Sequence, residues 1–354
     1  MDAQSMEKPL VSVVIPHWNH RDVLDECLGS LRECQYDSLE IIVVDNASED
    51  DSVPFVRENY PEVHLIQNRE NRGFAGGCNV GIEAARGKYI VILNNDTTHK
   101  PDWLSVLIDY MEDHPEVGIA QPKLRNAKDR DYFDYSGAAG GYMDIYGFPF
   151  ARGRIYDQIE QDEGQYENPA EIFWASGTAC LLRRKVFEDV GGLDEVFFAH
   201  MEEIDLDWRA QLAGWHLAAV PSSVIYHHSG YTLPPDSPFK KYLNHRNSVI
   251  MLLSNYQSLR MMTRGFQRLL LDILALFFTL ATGDFSRSWA IMKAWGWVLT
   301  HLSVIRRKRR QVKRVRRISD GELEYRFYQA SIALEHYLLR KSHWDARRHS
   351  ISAD

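Results

Sequence analysis

The chain of 354 residues is 45% apolar and 25% charged, enough for one large domain plus a smaller one around a well-buried core, which excludes a disordered polymer. Its net charge is −8, but nine basic residues crowd into 306–317, "RRKRRQVKRVRR", so the remainder carries −17. An acidic body with one basic patch argues against a nucleic-acid binder that follows phosphates along a whole face, and suits contact with an anionic surface at one place.

The four cysteines, Cys27, Cys34, Cys78 and Cys180, lack the paired spacing of zinc or thioredoxin motifs. The opening "MDAQSMEKPLVSVVIP" is acidic and mixed rather than basic and then apolar. Together these predict a reducing, cytoplasmic compartment.

In chain order, "VSVVI" (11–15), "IIVVD" (41–45), "HLIQN" (64–68), "YIVIL" (89–93) and "GIAQPKL" (118–124) are short, mostly aliphatic runs of the kind that form buried strands. Between them, 20–34, 48–59, 74–87 and 100–114 carry apolar residues at spacings of three and four, with Ser48 and Asp102 near helix starts. Strand and helix alternating four times predict an α/β fold, a parallel sheet with helices on both faces. In such sheets ligands bind outside the carboxyl ends of the strands.

Those ends are "PHWN" (16–19), "DNASEDD" (45–51), "NRENRGFAGG" (68–77) and "NNDTT" (94–98), all polar or glycine-rich. Each alone reads as a turn; four on one edge predict a site. It offers an aromatic platform at Trp18, carboxylates at Asp45 and Asp96, Arg72, and flexible backbone at Gly73, Gly76 and Gly77. A pyrimidine nucleoside diphosphate needs stacking, hydrogen bonds to its base and a hard cation with oxygen ligands. No GxGxxG follows the first strand and no GxxxxGK[ST] is present, which argues against a dinucleotide cofactor and against a P-loop triphosphate site.

"VSVVIPHWN", "LEIIVVDNASED", "NRGFAGGCNVGIEAARGKYIVILNND" and "FFAHMEEIDLDWRAQLAGW", in unbroken order over about residues 10–255, resemble the family 2 glycosyltransferases of GT-A fold, in particular the branch with bacterial rhamnosyltransferases. The resemblance implies a Rossmann-like, mostly parallel sheet, a UDP- or dTDP-sugar donor, a divalent cation (Mg²⁺ or Mn²⁺), and single-displacement transfer with inversion. It places Pro16, Trp18, Asn19 and Asp45 at the base, and Arg72, Gly73 and the turn through Asn79 along the nucleotide. "NND" stands where the family has its DxD, so Asn94 and Asn95 face the donor and Asp96 ligates the metal. Asn94 brings no charge where an aspartate is commoner, and His227 matches a family histidine that completes the metal site. If that segment is extended, His228 points to the other face.

Downstream, Glu202, Glu203, Asp205 and Asp207 crowd what reads as a helix start. Acidic residues favour that position and Asp205 can pair with Arg209, yet Glu203 and Asp207 form a repulsive i,i+4 pair. A sugar hydroxyl needs a carboxylate to take its proton. The resemblance assigns this base to Glu203, with Asp205 the runner-up, and sets Trp174, Ser176, Gly177 and Glu202 against the acceptor or the donor sugar. Trp174 reads equally well as a core residue.

After residue 230, three prolines mark a connection (Pro234, Pro235, Pro238), followed by helical patterns. The predicted organisation is a catalytic domain at 1–230 (nucleotide half 10–125, acceptor half 126–230) and a C-terminal helical region at 231–354. "LLLDILALFFTLAT" spans 14 residues and includes Asp272, short of the ~20 apolar residues that cross a bilayer. Beside Trp289, Trp295, Trp297 and the basic run, it predicts peripheral attachment to the cytoplasmic membrane face, with a helical subdomain or homodimer interface as the alternative. A membrane-seated enzyme implies a glycan or polyprenyl-diphosphate-linked acceptor in polysaccharide synthesis. A nucleotidyltransferase and a noncatalytic sugar-binding protein are the rival functions.

Overall fold

A computed structural model describes residues 8–229, 237–341 and 343; most of the proline-bearing connection, 230–236, lies outside them. The five expected strands form β1 (Val11–His17), β2 (Leu39–Asp45), β3 (His64–Gln67), β4 (Tyr89–Leu93) and, after a short β5 (Thr97–His99), β6 (Val117–Asn126). The helices between them are α1 (Arg21–Arg32), α2 (Ser52–Asn59), α3 (Gly73–Ala84) and α4 (Trp103–Asp113). β1 is buried throughout, as its β-branched sequence dictates. Pro16 is tolerated in it because pairing with β4 ends at Val14.

The chain then makes a small antiparallel sheet of β7 (Gly141–Met143), β8 (Pro149–Ala151), β9 (Arg154–Ile155) and β10 (Gln158–Ile159). It returns to the large sheet with β11 (Ala170–Glu171), β12 (Ala179–Arg183) and, after helices α5 (Arg184–Val190) and α6 (Glu202–Leu212), β13 (His216–His227). The large sheet runs β11-β13-β6-β12-β4-β1-β2-β3, with β5 on β13. Mostly parallel as the resemblance implies, it is antiparallel where β11 and β5 meet β13 and at β12, which pairs antiparallel to both β4 and β6. A reversed strand presents its amino end where its parallel neighbours present their carboxyl ends. Residues 174–178 are thereby delivered to the edge that carries Asn94–Asp96, and Asn94 N–H donates to Thr178 O at 2.8 Å.

C-terminal helices α7 (Pro238–Asn255), α8 (Ser258–Thr282), α9 (Phe285–Thr300), α10 (Leu302–Val315), α11 (Asp320–Leu323) and α12 (Ile332–Leu339) follow. α9 and α10 meet at His301. These helices share a core with the preceding half: Trp208 of α6 packs edge-on against Phe173, Tyr256 and Phe327, contacts worth about 0.5–1.5 kcal/mol each beyond area burial. α8 is a continuous 25-residue helix, long and apolar enough to cross a membrane by length and composition, beyond the 14-residue expectation. Its inward face is nevertheless tied down, since Arg268 donates to Tyr146 O at 3.1 Å and to Ser248 Oγ at 2.8 Å, and Trp295 Nε1 donates to Asp272 at 2.9 Å.

Candidate active site

Asp96 and His227 meet because β5 pairs antiparallel with the end of β13, setting Thr97 opposite His227. His227 Nε2 stands 3.0 Å from Asp96 Oδ1, and Nδ1 donates to Asp134 Oδ1 at 2.8 Å. Burial opposes charge on this ring, but the two carboxylates outweigh it and raise its pKa to about 10. Asp96 Oδ1 is buried and, despite the 3.0 Å approach, lacks a hydrogen bond of good geometry. A buried carboxylate oxygen facing an imidazole nitrogen, with a carboxylate behind the ring, is a donor set that suits a divalent cation. Asn94 Nδ2 lies 3.4 Å from the same His227 nitrogen. Among the described residues no group of three His, Cys, Asp or Glu side chains assembles as a metal site. His228 turns away, 3.8 Å from Glu26.

Asp134 was not foreseen. Burial opposes its charge, yet His227, Ser229 Oγ and the Ser136 N–H hold it below the usual carboxylate range. Nothing in "DYFDYSG" signals this, since its partner lies 93 residues away.

Past β1 and β2 the edge has Trp18 39% exposed and Asp45 buried, accepting from Ser48 N–H at 3.2 Å. Ser48 therefore shapes this loop and caps no helix. Asn19 is a clip: its N–H donates to Ser48 Oγ and its Oδ1 accepts from Glu49 N–H, both at 2.8 Å. Asn95 amide and His17 Nδ1 are 2.8 Å apart, and burial lowers His17 to a pKa of about 4. Pro16 is buried and positions β1. An open depression of about 810 Å³ outside Asn19 is lined by Asp22, Glu26 and Glu49–Asp51; its negative charge makes it a poor seat for a diphosphate.

Arg72 pairs with Glu195 at 2.8 Å on the surface. Gly73 has φ +70, and a Cβ there would sit 2.5 Å from Phe198 O, the carbonyl that accepts from Phe74 N–H at 2.9 Å. Only glycine fits. Asn79 is reassigned: its Oδ1 and Nδ2 bond to Leu193 N–H and Leu193 O at 2.9 and 2.8 Å. Both ends of the amide bond to backbone, so it fastens α3 to residue 193.

The acidic residues divide by environment. Glu203 is half-buried, its Oε2 is buried without a partner, and a Cβ on Gly177 would lie 3.6 Å from the Glu203 Cβ. Burial lifts its pKa to about 7, against the pull of N–H groups at the start of α6. Glu202 is buried, pushed well above the carboxylate range by burial and then by Glu203. Its side chain is buried on the side of Cys78 of α3. Asp207 is likewise raised by burial and accepts from Ala175 N–H at 2.7 Å. Asp205 is fully buried, held by Arg209 at 2.9 Å, Asn255 at 3.0 Å and Lys308 at 3.3 Å; this fixes α6 to α7 and α10 and excludes it as the base.

Trp174 takes the core alternative. It is buried against Gly141, and its Nε1 donates to Tyr142 O at 2.8 Å. Ser176 is buried too, its hydroxyl donating to Ser136 O and its N–H to Gln121 Oε1 at 2.8 Å. Both hold the loop that presents Gly177.

Residues 12–191, just over half the chain, match the sequence model of Glycosyl transferase family 2. The chain belongs to this family. The family 2 glycosyltransferase described here is 26% identical over 266 residues, 70% of its length and 84% of the relative's, to an N-acetylglucosaminyl-diphospho-decaprenol L-rhamnosyltransferase of Mycobacterium tuberculosis. A Pyrobaculum calidifontis mannosyltransferase in complex with GDP-Man and Mn²⁺ superposes with TM-score 0.52 at 17% identity, covering 88% of this chain and 86% of the other. S. aureus TarS 1-349 in complex with UDP gives 0.51 at 17% identity, covering 73% and 70%. The fold is GT-A, and the protein is a glycosyltransferase.

Proposed function

We propose that this glycosyltransferase moves a sugar, with L-rhamnose the leading candidate, from a UDP- or dTDP-sugar to a hydroxyl of a glycan carried on a polyprenyl diphosphate, with inversion and with Mg²⁺ or Mn²⁺. The observation that carries this reading is the Glu203 carboxyl of α6, with its Oε2 unpartnered, set beside Gly177 at the strand edge where Asp96 meets His227. The acceptor class rests on the mycobacterial relative's lipid-linked substrate, and the cation on the Mn²⁺ of the mannosyltransferase complex.

Trp18 would stack on the base while Asp45 accepts from it or from the ribose. Arg72 would exchange its surface pair with Glu195 for the diphosphate, a small loss because exposed pairs contribute about 0–1 kcal/mol. Asp96 Oδ1 and His227 Nε2 would hold the cation, with Asp134 fixing the ring; the cation supplies charge that stabilises the leaving diphosphate. Glu203 Oε2 takes the proton of the acceptor hydroxyl as that oxygen bonds to the anomeric carbon and the bond to the diphosphate breaks on the opposite side.

The cytoplasmic membrane face is the proposed location. On α10, Arg306, Arg307, Arg310, Lys313 and Arg314 are exposed, beside α8 and α9 with their exposed Phe266, Phe277, Phe285 and Trp289, a combination that suits an anionic lipid surface. Thermal shift against a panel of nucleotide sugars, with and without Mn²⁺, tests the donor assignment: a cation-dependent rise with one UDP- or dTDP-sugar is expected, and no shift with any of them contradicts it.

A further inference from the structure

Helix α9 has Gly296 in its interior, and a Cβ built there meets nothing within 4 Å. An interior glycine weakens a helix relative to alanine, and no close neighbour requires its smallness. The space it leaves belongs to a groove of about 420 Å³, lined also by Tyr242, Trp289, Met292, Lys293 and Trp297, within the usual range of small-molecule sites, roughly 300–1,000 Å³. Lys293 Nζ lies 4.5 Å over the Tyr242 ring and has no carboxylate partner among the described residues.

The position of the groove gives it meaning. Tyr242 packs with Leu243, Ala290 and Ala294 against Ala199, and Asn247 of the same helix donates to the carbonyls of Phe197, Ala199 and His200. The inner wall is therefore fastened to the segment that runs into α6 and Glu203. The other wall is α9, whose Trp289 is 64% exposed.

We propose that this groove seats the first isoprenoid units of a polyprenyl diphosphate, with Lys293 beside the diphosphate, and so delivers a lipid-linked acceptor towards Glu203; it rests on the lipid-linked acceptor reading above. Aromatic rings and a thioether suit a branched hydrocarbon chain, and a lone ammonium at the rim suits its anionic head.

The test is a titration of the full-length protein in dilute detergent with decaprenyl diphosphate, read by tryptophan fluorescence without sugar donor or metal. Wild type should bind saturably, Gly296→Ala should bind equally with a higher Tm, and Gly296→Leu should bind about tenfold or more weakly, about 1.4 kcal/mol. Lys293→Gln should weaken decaprenyl diphosphate and leave decaprenol unchanged. Gly296→Leu binding like wild type would overturn the groove, as would decaprenol or phosphatidylglycerol binding as tightly as the diphosphate, which would mean adhesion to lipid alone. Because no transfer is measured, an enzyme that glycosylates lipid-linked acceptors yet fails here loses only the groove, and one that binds here yet transfers to no lipid-linked acceptor loses only the acceptor reading.

Discussion

His227 Nε2 and Asp96 Oδ1 face each other at 3.0 Å, with Asp134 receiving the opposite side of the ring at 2.8 Å. On the proposed reading Asp134 would hold the Nδ1 proton while a bound cation displaces the proton that the two carboxylates keep on Nε2, so Asp134→Asn should raise the Mn²⁺ concentration for half-maximal transfer about 10–100-fold. A metal titration of transfer rate measures it; an unchanged midpoint would detach Asp134 from the cation.

Asn94 lies beside the same His227 nitrogen, at 3.4 Å. Replacing its neutral amide by a carboxylate, Asn94→Asp, adds a charged oxygen ligand and should lower the Mn²⁺ requirement. If the requirement does not move, Asn94 does not reach the ion.

Glu203 has a pKa raised from 4.5 to about 7. The folded chain thus holds this proton more tightly than the unfolded chain, and the stabilisation, complete below about pH 4, is lost as pH rises through about 7. Glu203→Gln should therefore raise Tm at pH 8, by about 1–3 kcal/mol of stability, with the gain vanishing near pH 4. Wild-type activity should rise with pH to a plateau through an apparent pKa near 7, a value shared with Glu202 because the two carboxyls interact. Equal Tm values at pH 8 would show that Glu203 carries no buried charge.

Lys308 belongs to the basic run yet is buried, 2.7 Å from Asp194 and 3.3 Å from Asp205. Lys308→Met leaves buried carboxylates short of a cation and should cost about 3–5 kcal/mol in urea unfolding, partly restored by adding Asp194→Asn. Removing 306–354 would unfold the acidic helix rather than trim a tail, so the membrane question needs surface changes. Arg306→Glu, Arg310→Glu and Arg314→Glu together should leave Tm nearly unchanged and abolish salt-sensitive sedimentation with anionic vesicles, since each adjacent cation contributes about 1 kcal/mol. Undiminished sedimentation would remove α10 from the contact.

β1 to β4 were legible because a run such as "YIVIL" is buried whatever its neighbours, and the four polar strand ends declared the edge. Strand direction was not: "ACLLR" reads alike parallel or antiparallel, so the reversal at β12 that brings Gly177 beside Glu203 was hidden. Residue type did not fix surroundings. Asn79 has the chemistry of a ligand contact and Trp174 reads equally as contact or core, and both bond to backbone, at Leu193 and Tyr142. Lys308 and Asp134 needed partners about a hundred residues away, which no local pattern encodes.

The central claim is that Glu203 is the base of a cation-dependent sugar transfer, and parallel measurement of donor binding and nucleoside-diphosphate release by Glu203→Gln tests it most directly. The account predicts a donor-induced, Mn²⁺-dependent rise in Tm equal to that of wild type, with turnover reduced about 10²–10⁴-fold; turnover at the wild-type rate would contradict it.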